Sequence, residues 1–387
     1  MLFLIRSPMI AIMLLLYSLF AVVLLLYGAF ICYLTLRLVP ALSKRKKTGI
    51  KTADGSLPDV SIVIPFRNEA HNLERLIGSL DSQTYKGKYE IILIDDGSTD
   101  NYNAAASSRK WQHPVKILPS VFSEKRGLTS KQQALDTGIK ATVSDYIACT
   151  DADMLLEPRW LESLMLPALS GADLVFGHTV VEGEIKSSNF VRFQKFQIET
   201  LFAIAYAFNH AGLAGSCMGN NLLFSRKAYL ESGGFDAVGY SIVEDMDLML
   251  SFRRKKLHTT ATEPFTPTAR TYPATTFPDY LQQLLRWTRG GFRKNPVLLS
   301  ANVLLSAQNI LLAFSLCRML PGFIAVASAV NLLLTWIFIA AAFRRMASGE
   351  RTFLFPLFYM LYLAESAVLF LFSVLNKKII WKNRRIA

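Results

Sequence analysis

Cysteine is scarce in this chain, with four in 387 residues. Cys32, Cys149, Cys217 and Cys317 form no C-x-x-C pair. That excludes a disulfide framework and a structural zinc site, and fits a reducing compartment. Histidine is nearly as rare, with five scattered residues. No H-E-x-x-H stands among them, and no tight Ser/His/Asp signature occurs. His178, near an apolar strand, reads as a core or edge residue rather than a ligand. Glycine loops that cradle phosphate are missing too. No G-x-G-x-x-G follows the first strand and no Walker-type Gly-Lys-Ser occurs, which disfavours dinucleotide and P-loop enzymes.

Acidic residues are also in deficit, 29 against 42 Lys and Arg, for a net charge of +13. A basic chain can bind nucleic acid, but these cations flank apolar runs. Lys44 to Lys47 follow the first run; Arg253 to Lys256, Arg286, Arg289, Arg293 and Lys294 precede the next; Lys377, Lys378, Lys382, Arg384 and Arg385 come after the last. Clusters beside the membrane set orientation and contact anionic lipid. No stripe of basic and aromatic residues suggests a nucleic-acid groove, so no nucleic-acid partner is expected.

What the chain has in excess is apolar sequence, 52% of residues, collected at its two ends. Ile10 to Leu36 carries no charge and exceeds the roughly 20 residues that cross a bilayer as a helix. A secretory signal has an apolar core of only about 7–15 residues and a small-residue cleavage site. This run reads as a retained anchor. Val297 to Leu316, Met319 to Phe343 and Phe353 to Leu375 are further runs. The expected organisation is an anchor with basic flank over 1–47, a catalytic domain over 59–295, transmembrane or interfacial helices over 296–376 and a basic tail over 377–387.

The Lys44–Lys47 cluster places the domain in the cytoplasm and the N-terminus outside. Three C-terminal spans would then put the basic tail outside, against the same rule. Either Val297–Leu316 or Phe353–Leu375 is therefore expected to be re-entrant or interfacial. Glu365 makes the latter suspect as a simple span.

Between the ends, apolar strands alternate with helices. Val60–Pro65, Ile91–Ile94, Val115–Leu118 and the run ending at Cys149 read as strands. Ala70–Ser82 and Lys131–Thr142 read as helices. Continuous apolar strands in β-α alternation predict an α/β domain with a mostly parallel sheet covered on both faces. Ligands of such sheets gather at the carboxyl ends of strands. Asn68 and Glu69, Asp95 and Asp96, and Asp151 and Asp153 lie there. Each can be a turn or helix-end residue. Asp151 and Asp153 can also hold a divalent cation, which takes carboxylate and phosphate oxygens together.

The segments VSIVIPFRNEAHNLERLIGSL, YEIILIDDGSTDN, CTDADM, GGFD…VEDMDLML and QQLLRWTRGG stand in the order and rough spacing of the family 2 glycosyltransferases. The resemblance covers about Asp59 to Gly291. It implies a GT-A fold, a nucleotide-diphospho-sugar donor and inversion at the anomeric carbon.

By the same resemblance Glu69 lies near the nucleotide, Asp96 recognises the uracil or ribose with Asp95 beside it, and Lys131 reaches the nucleotide. Asp151 and Asp153 are the D-x-D pair that holds Mg²⁺ or Mn²⁺. Of Glu244 and Asp245, the second is the base that takes the acceptor's proton. Val243 stands where a threonine is usual. Gln283, Arg286 and Trp287 form the Q-x-x-R-W motif of membrane-integrated members, which covers the diphosphate and shapes the acceptor site. At helical spacing the three share a face.

Arg192 to Phe208 reads either as a core helix or as one lying in the bilayer surface. The layout is similar to ceramide glucosyltransferase and bacterial lipid glycosyltransferases, and the catalytic domain also to cellulose synthase. The expected function is transfer of one sugar to a lipid or lipid-linked acceptor at the cytoplasmic membrane face. A processive polysaccharide synthase and a catalytically silent scaffold or flippase-like protein are the alternatives.

Overall fold

The structure, a computed structural model, describes residues 8–43, 56–106, 110–183, 188–213, 215–263, 268–346, 355–374, 380–381 and 384–385. The Lys44–Lys47 cluster, Lys377, Lys378 and Lys382 lie outside the described residues.

Helix α1 (Pro8–Ser43) comes first. Then follow β1 (Val60–Phe66), α2 (Ala70–Asp81), β2 (Tyr89–Asp95), α3 (Tyr102–Ala106), β3 (Val115–Pro119), α4 (Ser130–Lys140) and β4 (Tyr146–Cys149). Next are β5 (Met154–Leu156), α5 (Trp160–Leu169), β6 (Leu174–Phe176), β7 (Thr179–Val181) and the long α6 (Asn189–His210). β8 (Leu222–Ser225), α7 (Arg226–Ser232), α8 (Gly234–Val238), α9 (Glu244–Arg254), β9 (Thr259–Ala261) and β10 (Ala269–Thr271) come after it. Four helices follow: α10 (Phe277–Lys294), α11 (Pro296–Leu316), α12 (Gly322–Arg345) and α13 (Phe355–Val374).

Seven strands form the main sheet in the order β3-β2-β1-β4-β8-β6-β9. β1 lies between β2 and β4, parallel to both. β8 runs antiparallel to both of its neighbours. The sheet is thus mostly parallel, as the apolar strands predict, with one reversed strand. Alternate residues of each strand go to opposite faces. Ile62, Ile64, Ile91 and Leu93 pack with Leu73, Leu76, Ile77 and Leu80 of α2. Val63, Ile92, Ile94 and Ile147 pack with Ala134, Leu135 and Ile139 of α4. Both faces are dry, which is why these strands carry no polar alternation.

The second face continues without a break into the end helices. Tyr27, Leu34, Leu38 and Leu42 of α1 belong to the same buried cluster. Helix α6 bridges the two. Phe202 packs edge-on to Phe176 of the sheet, 6.2 Å between centroids. Phe196 meets Phe343 of α12 at 5.4 Å and Phe358 of α13 at 5.0 Å. The helix is therefore covered by protein on both sides, the sheet on one and the apolar helices on the other. His178 is fully buried and stacks on Phe202 at 4.3 Å, the core placement expected of it.

Helices α1, α11 and α12 are long and apolar enough to cross a membrane. They are joined by polar contacts inside the bundle. Asn331 Nδ2 donates to the Leu24 carbonyl at 2.9 Å and to Gln308 Oε1 at 3.0 Å. Tyr27 and Thr335 share a hydroxyl contact of 2.9 Å. Such bonds orient apolar helices that packing alone would let slide. Pro296 starts α11 at a position that needs no N–H, and Asn295 caps it, so α10 and α11 are separate helices at an angle set by one residue.

Candidate active site

Register brings the carboxyl ends of β1, β2 and β4 side by side: Phe66 pairs with Asp95 and Val63 with Cys149. The loops beyond them form one edge. Asn68 takes a left-handed backbone (φ 55°), which an Asn tolerates. There its Oδ1 accepts from Thr99 N–H at 2.8 Å, and its own N–H donates to Ser98 Oγ at 3.0 Å. The β1 and β2 loops are thereby tied together. Asp95 accepts Ser98 N–H at 2.7 Å and closes its own turn. Asp96 N–H donates to the Phe66 carbonyl. Glu69 stands buried at the position before α2, and its carboxylate accepts from Asn72 Nδ2 at 2.7 Å. Its carboxylate is thus engaged at the helix start, where the macrodipole favours it.

Helix α4 delivers Lys131. A capping box between Thr129 and Gln132 starts the helix at this edge. Gln132 also holds the loop before α9, donating to the Gly239 carbonyl at 2.8 Å and accepting Ser241 N–H at 3.1 Å. Lys131 Nζ consequently lies 2.8 Å from Asp151 Oδ1 and 2.9 Å from Glu244 Oε1. Burial would lower the pKa of this ammonium, but the two carboxylates outweigh it and hold the pKa above the usual lysine range.

Asp245 is the next residue along. Burial pushes its carboxyl up to about 6, and the Glu244 charge adds to this; the Met246 N–H, Lys131 and Arg286 pull the other way. The first turn of a helix favours an anion, yet here desolvation wins. A carboxyl poised near neutrality is what a general base needs. Cys149 and Cys217 are not candidates for nucleophile, because burial pushes the Cys149 thiol up to about 12 and the Cys217 thiol well above its ordinary value.

Sequence reasoning did not single out Gly219. A Cβ there would stand 2.6 Å from Asp245 Cβ and Cγ. The Asp245 side chain is seated against bare backbone, and only glycine leaves the room. The signal was present as a lone Gly just ahead of the apolar strand β8.

Helix α10 approaches from the other side. Tyr280, Leu284 and Leu285 are buried, and Trp287 packs against the core. Arg286 is within electrostatic reach of Asp245 and Lys131. A Cβ on Gly290 would stand 2.6 Å from both Val243 methyls, so α10 rests directly on the residue before Glu244. Lys294 Nζ lies 2.9 Å from Asp247 Oδ2 and donates to the Val238 and Tyr240 carbonyls, 3.1 Å each. Asp247 thereby anchors the end of α10.

Lys131, Asp151, Glu244 and Asp245 line one pocket with Gly219. Gln283 and Trp287 are placed on α10, and Asp153 in the turn between β4 and β5. No group of three or more metal-ligating side chains occurs among the described residues. The donor set at Asp151 and Asp153, two carboxylates without nitrogen or sulfur, fits a hard divalent ion that completes its shell with substrate phosphates. Asp151 keeps 36% of its side chain exposed.

Known proteins agree with this architecture. The mannosyltransferase PcManGT from Pyrobaculum calidifontis, solved in complex with GDP-Man and Mn²⁺, shares the GT-A fold: its TM-score is 0.52 at 18% identity, over 86% of this chain and 100% of that one. The dolichol-phosphate mannosyltransferase of Pyrococcus furiosus is 32% identical over 124 residues, 32% of this chain and 34% of its own. The poly-β-1,6-N-acetyl-D-glucosamine synthase of Staphylococcus aureus is 26% identical over 288 residues, 72% of this chain and 64% of its own. The chain thus spans about a third of the length of the archaeal relative. The family profile described as Glycosyl transferase family 21 matches residues 17–387. It runs from α1 through the strand-edge carboxylates and α10 to the last residue, and the chain belongs to that glycosyltransferase family.

Proposed function

We propose that the protein moves one sugar from a nucleotide-diphospho-sugar, a UDP-sugar by its motifs, to a lipid or lipid-linked hydroxyl at the cytoplasmic face of a membrane. The transfer inverts the anomeric carbon. One observation carries the reading: Asp151, Glu244, Asp245 and the cation Lys131 line one pocket at the strand ends, with Arg286 of α10 within electrostatic reach.

In a single displacement the acceptor oxygen bonds to the anomeric carbon, the bond to the diphosphate oxygen breaks, and the electron pair leaves with the diphosphate. Asp245 takes the acceptor proton, a contribution of about 10²–10⁴-fold. Arg286 offers a planar fork to phosphate oxygens. Lys131 supplies positive charge at the same edge while holding Glu244 and Asp151. Glu69, Asp95 and Asp96 border the nucleoside, and Gln283 and Trp287 the diphosphate and the lipid side. Asp151 and Asp153 would hold Mg²⁺ or Mn²⁺, which when bound neutralises charge on the departing diphosphate.

The lipid-glycosyltransferase layout supports single addition. Repeated addition is the second reading, favoured by the match to the staphylococcal synthase over 72% of the chain. The test is to incubate protein in lipid nanodiscs with a panel of nucleotide sugars and membrane lipid extract, then read products by mass spectrometry. A lipid carrying one sugar is the expected product. Long polymers would favour the synthase, and neither transfer nor donor hydrolysis would support a silent scaffold.

A further inference from the structure

Outside the pocket, three helices meet at one polar point. Gln197 of α6, Tyr280 of α10 and Glu365 of α13 form a closed triangle. Gln197 Nε2 is 2.6 Å from Glu365 Oε1. The Tyr280 hydroxyl is 2.6 Å from Gln197 Oε1 and 2.7 Å from Glu365 Oε2. Three contacts this short need three protons, and the side chains must supply them one by one. The amide offers its N–H to one neighbour only, because its oxygen faces the other. The tyrosine has one proton. If the amide nitrogen faces Glu365, the tyrosine proton goes to either Gln197 or Glu365, and the remaining oxygen pair lacks a hydrogen. If the amide is turned over, Gln197 oxygen meets Glu365 oxygen and again lacks one. The assignments that give all three contacts a hydrogen are those in which Glu365 carries the extra proton.

The surroundings agree. Phe190 and Phe193 pack against the Tyr280 ring at 5.5 and 6.4 Å, and Phe193 meets Phe358 at 5.7 Å. A charge among these rings would be costly. The titratable group in contact with Glu365 is Tyr280 from α10, and Tyr280 in turn feels Tyr362 of α13. From α6 Glu365 meets the amide; Lys195 and Glu199 lie two positions either side of Gln197, on another face. Among the described residues no cation pairs with this carboxyl.

We infer that Glu365 is held as a neutral carboxylic acid and is the positioning residue that docks α13 on α10. Its ring fixes the first half of α10, as Lys294 fixes the end and Arg289, donating to the Phe372 carbonyl at 3.0 Å, fixes the middle. Ionisation breaks the ring and loosens the helix that carries Gln283, Arg286 and Trp287. The protonation state stands apart from the transferase reading; only its effect on the site rests on that reading.

The variant Glu365→Gln decides the matter, because a carboxamide has one acceptor and one donor and can rebuild the whole ring. Infrared difference spectra of the full chain in nanodiscs should show a carboxylic-acid C=O band in the native protein that disappears in Glu365→Gln. Past the rise that Asp245 sets, transfer by the native protein should fall as pH is raised from about 7 to about 9, across which a half-buried acid of this kind gives up its proton. Glu365→Gln should keep the activity seen at the lower pH and lose that alkaline decline. Glu365→Leu should lose on the order of tenfold to a hundredfold at every pH through a misplaced α10. Absence of the band, or a Glu365→Gln protein as impaired as Glu365→Leu, would overturn the inference. The spectral arm needs no activity, so a failed transferase reading would leave it intact.

Discussion

At the scale of single residues, the site is a contest between burial and charge around Asp245. Asp245→Asn keeps size and removes the base. Transfer should drop about 10²–10⁴-fold while donor affinity, measured by titration calorimetry, stays close to native. Gly219→Ala leaves the carboxylate and moves it, so it should also cut transfer without weakening donor binding. If Gly219→Ala is as fast as native, the backbone seat is irrelevant. The pH profile has a definite sign. Below about 6 Asp245 holds its proton and cannot take another, so transfer rises with pH through that value. Lys131 pulls this pKa down and Glu244 pushes it up. Lys131→Met should move the acid limb to higher pH and Glu244→Gln to lower pH, each on the order of one unit. Shifts in the same direction would refute this electrostatic account. Chelation should abolish transfer and added Mg²⁺ or Mn²⁺ restore it, while full activity in excess chelator would remove Asp151 and Asp153 from that role.

At the scale of elements, α10 is the piece that links membrane and site. It leans on Val243 through Gly290, and its last residue pairs with the buried Asp247. Lys294→Met leaves that carboxylate without its cation. A loss of about 3 kcal/mol follows from breaking such a pair, with a lower melting temperature and slower transfer together. Adding Asp247→Leu should return much of the stability, because an apolar pair replaces an ion pair at little cost. Arg286→Lys behaves otherwise: it should weaken binding of the nucleoside diphosphate with stability unchanged, since an ammonium cannot copy the fork. If both variants only melt earlier, α10 is an anchor and nothing more.

At the scale of the molecule, helix length and composition decide which segments cross. Helices α1, α11 and α12 qualify by length and composition. Helix α13 lies along α10, from Tyr280 beside Glu365 to Arg289 beside Phe372. Laid on α10, which rests on the domain through Gly290 and Lys294, α13 is expected at the membrane surface, which makes three crossings and puts the basic tail on the same side as the domain. Arg344 and Arg345 at the end of α12 then face the same side, in keeping with the excess of cations there. Cysteine labelling at Lys47, at Lys227 and at Arg384 should find all three on the cytoplasmic side. Labelling of Lys227 from the opposite side would reverse the topology.

Local chemistry was legible in the chain itself. The apolar strands declared a sheet dry on both faces, because a strand buried twice has no polar alternation. The carboxylates at strand ends and the acidic pair at Glu244 and Asp245 are signals within a few residues. The coil of α6 was legible as a helix, but not what covered it, since its two apolar faces meet the sheet and α12 and α13, which lie far along the chain. The same limit hid Gly219, whose meaning is the Asp245 side chain pressed against it, and Asp247, which looks like one more acid until Lys294 arrives from α10. It hid Glu365 most completely. From sequence that residue was an awkward charge in an apolar run. Only where three helices converge can the protons be counted, and there the carboxyl is short of a hydrogen unless it keeps its own.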